Sequence, residues 1–137
     1  VTVSGNFGGT FTVTGPGSGT STRQDEYINI TTNQPLAFQA SNFTTLMKGG
    51  SSASSAGAIT YEMQLYAGTS SSIGSSLTGA VNGTDAAFDG MQLILTNANI
   101  PGNNEVVLRL SRTLSLTQLA EGGTTYTASG TIVLSIN

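Results

Sequence analysis

Tyr126-Thr127-Ala128-Ser129-Gly130-Thr131-Ile132-Val133-Leu134-Ser135-Ile136 alternates apolar or small residues with mostly polar ones. A period of two means a strand with one face in a core and the other largely in water. Tyr126, Ala128, Gly130, Ile132, Leu134 and Ile136 form the inward set. The sequence given ends one residue later, so no later segment is expected to pair with this strand. A long apolar strand at a sheet edge invites aggregation unless something covers it. The start of the chain offers a cover. Val1, Val3, Gly5, Phe7, Gly9, Phe11 and Val13 keep the same period for longer than most strands run. The expectation is that the two ends pair, within one molecule or between neighbours.

Gly5 and Gly9 are inward glycines, which mark a close approach of another backbone. Behind this stretch, Gly15-Pro16-Gly17-Ser18-Gly19-Thr20-Ser21-Thr22 reads as a flexible tether with one stiff proline. The chain therefore divides into a first strand (1–14), a linker (15–24) and a body (25–137). In the body, Ile28 and Ile30, then Leu36, Phe38 and Ala40, then Ile59, Tyr61, Met63 and Leu65 hold one phase each. Met91, Leu93 and Leu95 follow, and then Val106, Leu108, Leu110, Leu114 and Leu116. Arg112 falls in that last apolar phase. Either a bulge turns it to water, or the charge needs a partner. No apolar set recurs at helical spacing. About six principal strands, spaced by turn signals, fit an all-β sandwich; an immunoglobulin-like one has about seven.

Composition excludes several functions. With 137 residues the chain is of single-domain size. Its 4 basic and 7 acidic side chains form no basic cluster, so nucleic acid is not an expected partner. No apolar run reaches membrane-spanning length, and no signal peptide is visible. Without cysteine or histidine, there is no thiol nucleophile, no Ser–His arrangement and no Cys or imidazole metal site. Glu62, Asp85 and Asp89 are read as solvated or turn-forming rather than as a catalytic pair or calcium loop. No enzyme activity, metal or cofactor is expected. Tyr61 and Tyr126 lie in the apolar phase, which leaves Tyr66 as a lone outward aromatic and a poor sugar platform. Asn29, Asn42 and Asn82 begin N-x-[ST] sequons and are candidate N-glycosylation acceptors.

The two ends together resemble subunits of the chaperone–usher class of pili and capsular fibres. Val1 to Val13 looks like the N-terminal extension of that class, and Leu119 to Tyr126 followed by Thr127 to Ile136 looks like its closing turn and last strand. The resemblance implies an incomplete immunoglobulin-like sandwich, completed by the extension of a neighbouring subunit beside Tyr126, Ala128, Gly130, Ile132, Leu134 and Ile136. It implies an extracellular, head-to-tail homopolymer (a pilus or fimbria), with an assembly chaperone and an outer-membrane usher as partners. The chain departs from the class in lacking a disulfide and a near-terminal tyrosine. The alternative expectation is a monomeric secreted or surface β-sandwich, either carbohydrate-binding and adhesive or part of a virus or phage surface.

Overall fold

A computed structural model describes residues 1–5, 8–14, 21–117 and 123–137. Its strands, in chain order, are β1 (Thr2–Ser4), β2 (Gly8–Thr14), β3 (Ser21–Thr31), β4 (Leu36–Ser41), β5 (Met47–Lys48) and β6 (Ser51–Ser52). They continue with β7 (Gly57–Thr69), β8 (Ser72–Ser76), β9 (Val81–Thr84), β10 (Gln92–Leu95), β11 (Glu105–Leu116) and β12 (Thr125–Ile136). Two short 3-10 turns, Asp85–Phe88 and Asn97–Asn99, interrupt the loops. All strand pairs are antiparallel. One sheet runs β1-β3-β11-β7-β8, with β9 also on β7. The other runs β10-β4-β12-β5-β6, with β2 added to β12.

The period-two sets meet between these sheets. Ile28, Ile30, Ile59, Met63, Leu65, Leu108 and Leu110 come from the first; Leu36, Phe38, Ala40, Leu93, Leu95, Tyr126 and Ile132 come from the second. All are buried in one core, so the molecule is an all-β sandwich.

Two expectations are corrected. Residues 1–13 are not one strand along β12. Thr2–Ser4 pairs with β3 of the first sheet, whereas Gly8–Thr14 pairs with β12 of the second. Val1 and Val3 therefore sit at the edge of the first sheet, 54% and 38% exposed. Gly5 and Gly8, both at φ +126°, flank this change of sheet in a conformation that side chains with a Cβ rarely adopt. The linker is also shorter than 15–24, because β3 begins at Ser21 and pairs with β11 from Ser21↔Ser115 onward. Residues 15–20 lie outside the described residues, as does most of the closing turn, 118–122.

For Arg112 the sequence left two options open. β11 carries no bulge there, so the guanidinium stays in phase, 1% exposed between the sheets. Its partner is Glu26, which faces inward from β3. Nη1 donates to Oε1 at 3.3 Å and Nη2 to Oε2 at 3.4 Å. Of the two options the sequence left open, a partner for the charge is the one realised.

Candidate assembly site

β12 has different neighbours on its two sides. On one side β4 pairs with Thr131–Ile136 and β5 with Thr127. The chain between them stays close: the Thr44 N–H donates to the Ser129 carbonyl at 2.9 Å, and the Ser129 N–H donates to Thr44 Oγ1 at 3.0 Å. On the other side β2 pairs from Thr125↔Thr14 to Thr131↔Gly8. Tyr126, Ala128 and Ile132 are buried as the alternation requires, while Leu134 is only partly covered and Ile136 is 66% exposed. Phe11 anchors β2 in the core at 4% exposure, between exposed Thr10 and Thr12. Val13 pairs with Tyr126, and Phe7 lies outside the described residues.

Gly9 meets Gly130 across this pair. The reason for Gly130 lies beneath it. A Cβ there would enter the ring of Phe43, whose position is set by edge-on contacts with Tyr61 (4.7 Å) and Phe88 (4.8 Å). Tyr61 donates its hydroxyl to the Thr44 carbonyl at 2.5 Å, and the Asp89 carboxylate accepts the Phe43 N–H at 3.3 Å. The groove floor is thus an aromatic cluster tied to the segment that flanks β12. A Cβ on Gly8 would likewise run into the Gly130 carbonyl, so two backbones approach here where no side chain fits. Glycines in the alternation hinted at this approach. Nothing in the sequence pointed to Phe43.

Two half-edges are left on this flank of the sandwich. β1 covers β3 only at Asn29–Thr31, so among the described residues no strand pairs with the outer side of Ser21–Ile28. That edge carries Arg23, Asp25 and Glu26, with the Arg23 Nε donating to Asp25 at 2.9 Å. Charges of this kind discourage strand addition. β2 covers β12 only as far as Thr131, so the same side of Ile132–Ile136 has no partner strand among the described residues. No charge lies on that edge, and Val133 is 52% exposed.

The carboxylates weighed for catalysis have structural partners. Glu62 accepts from Arg109 at 2.7 Å, and the same guanidinium lies 5.2 Å from the Tyr66 ring centroid. Asp85 accepts the Ile59 N–H at 3.2 Å. Among the described residues no three acidic side chains converge as metal ligands would. Tyr61 and Tyr126 are buried; Tyr66 is half-buried, and Tyr27, which the sequence reading passed over, is 37% exposed beside Arg109. Asn29 is half-buried, its amide donating to Ser70 Oγ (3.0 Å) and accepting the Ser70 N–H (2.7 Å). Asn42 and Asn82 are exposed. No helix is long and apolar enough to cross a membrane among the described residues. Compared with models of known families, with curated proteins and with solved structures, the chain matches none.

Proposed function

We propose that this chain is a structural, non-catalytic subunit of an extracellular pilus or fibre, an incomplete immunoglobulin-like sandwich that polymerises by donor-strand complementation. The observation that carries the reading is the seat of β2. Among the described residues β2 pairs with β12 and with no other strand, and it reaches the core through Phe11. A strand held in this way can leave its own groove and make the same contacts in the groove of another copy. Backbone bonds would supply affinity, alternate side chains the fit, and burial of Phe11 about 1.5–3 kcal/mol. Because each copy gives one strand and receives one, the contact is heterologous and open, which generates filaments. An assembly chaperone would guard the vacant groove before a neighbour fills it, and an outer-membrane usher would pass subunits outward.

One observation favours a second reading, a monomeric secreted or surface β-sandwich: β2 lies in the groove of its own chain. Electron microscopy and light scattering of the full chain separate the two. Strand exchange is expected to give filaments that vanish when Val1 to Thr14 are removed. Filaments from the truncated protein would overturn strand exchange, whereas a full chain that stays monomeric at high concentration would leave the monomer reading.

A further inference from the structure

We propose that a cavity beside the β5–β6 hairpin and the start of β12 is a binding site for an acidic sugar, a single ring that carries a carboxylate. The cavity holds about 230 Å³ and is lined, among the described residues, by Lys48, Tyr126 and five residues between 51 and 56.

The strand register shows why these residues are unusual there. Leu46 and Tyr126 point into the core, each 1% exposed. Lys48, two residues on from Leu46, keeps its phase, and the pair Thr127↔Met47 sets Lys48 beside Tyr126. Across the hairpin Lys48 pairs with Ser51. Gly49 and Gly50, at φ +58° and +83°, form the tight turn between them, which holds the two in opposition. The inward phase carries mostly apolar side chains on the other strands, yet here it carries an ammonium and a hydroxyl. Arg112, another inward cation, is closed in at 1% exposure against Glu26, whereas Lys48 is exposed and borders a cavity. Ala53 and Ala56, both buried in the cavity wall, have one methyl each and leave the space unfilled. A polar set that breaks the local pattern without filling space is what a site for a ligand requires.

The lining selects the ligand. An ammonium pairs with a carboxylate through charge-assisted hydrogen bonds. Ser51, Ser52 and Ser55 carry hydroxyls that donate and accept, as the hydroxyls of a sugar do. Ala53, Ala56 and Tyr126 supply apolar wall for the C–H groups of the ring. The volume suits one ring, below the roughly 300–1,000 Å³ of sites for larger ligands. None of these lining residues belongs to β2, so the site stands whichever copy supplies that strand.

Calorimetric titration of the full chain with glucuronate, with glucose and with inorganic phosphate tests the assignment. Glucuronate is expected to bind. Glucose, which lacks the carboxylate, and phosphate, which lacks the ring, are each expected to bind about tenfold more weakly or worse. Lys48→Met is expected to weaken glucuronate about tenfold or more, the effect of losing one hydrogen bond to a charged group. The unaltered chain gives a second reading, because Lys48 is its only lysine. With an amine-acylating reagent and peptide mass mapping, glucuronate is expected to slow acylation of Lys48 and to leave that of the Val1 α-amine unchanged. No binding of glucuronate, binding that survives Lys48→Met, or acylation of Lys48 that glucuronate does not slow overturns the proposal. Glucose binding as tight as glucuronate removes the role of the charge and overturns it too. Phosphate binding as tight as glucuronate reduces the cavity to a site for any small anion, which overturns the assignment to a sugar.

Discussion

Arg112 shows what a single residue costs when an apolar strand carries a charge. It is 1% exposed and its Nε finds no acceptor among the described residues, where Glu26 is its ion-pair partner. Glu26→Gln is expected to cost about 3 kcal/mol, the lower end for breaking a buried pair because Glu26 keeps some contact with water. The double change Glu26→Leu with Arg112→Leu should be close to neutral, since well-packed apolar replacements of such pairs often are. Denaturant midpoints of both variants check this. Tyr61 makes a second residue-scale case. Burial, ahead of every other cause, pushes its phenol up to about 12. The unfolded chain releases that proton near pH 10 while the folded one keeps it, so stability present below about pH 10 is lost as the pH climbs towards 12. The gap amounts to ~2–3 kcal/mol, and Tyr61→Phe should flatten this alkaline limb of a melting-temperature profile. Asp25 moves the other way. Burial raises its pKa, but hydrogen bonds from Arg23 and Ser111 and the charges of Arg23 and Arg109 outweigh it, so the net shift is downward. Its contribution is lost only as the pH falls below about 4. With no histidine in the chain, melting temperature should vary little from about pH 5 to 8, and a swing of many degrees there would contradict this account.

Among the elements, β2 is the one whose register can be tested by phase. Gly9 faces Gly130 at φ +145°, and the space beneath Gly130 is filled by Phe43. A leucine at Gly9 brings both backbone strain and overpacking, so Gly9→Leu is expected to destabilise the sandwich by ~1–3 kcal/mol and to abolish filaments. Thr10 is exposed in the opposite phase, so Thr10→Leu should change stability by less than about 0.5 kcal/mol and leave assembly intact. Equal tolerance at the two positions, read by thermal melts and electron microscopy, would remove the register. β7, β11 and β12 were legible in the sequence because a period of two runs the length of each, with Arg112 of β11 the one charge in an apolar phase. The N-terminal stretch alternates as well, yet it splits between two sheets. Glycine at 5 and 8 permits a straight strand and a bent one alike, so periodicity could not choose.

At the scale of the whole molecule, the expected consequence is a body that depends on a strand it can also receive from outside. The protein lacking Val1 to Thr14 should accept a peptide of those residues and melt at a higher temperature when it is added, because a ligand that binds only the folded form stabilises it. Placing the same residues after Asn137 through a short Gly/Asn turn should give a monomer that no longer polymerises, with the added strand antiparallel to β12. Calorimetry and light scattering read both outcomes. A peptide that leaves the melting temperature unchanged at saturating concentration would show that the groove beside β12 does not form without its own strand.

The sequence by itself determined the class of fold, the inward faces of the main strands, the lack of thiol and imidazole chemistry, and, of the pairing between the first stretch and the last, the part made by Gly8–Thr14. Each follows from local chemistry: which atoms a side chain carries, and which face a period of two gives it. Tertiary structure alone decided that β1 and β2 join different sheets, that Arg112 is neutralised by Glu26, that Gly130 exists to admit Phe43, and that the bare half of β12 is apolar while the bare half of β3 is charged. These are contacts between residues far apart in the chain. Alternation says which way a side chain points, but only the packing of the two sheets says what it meets there.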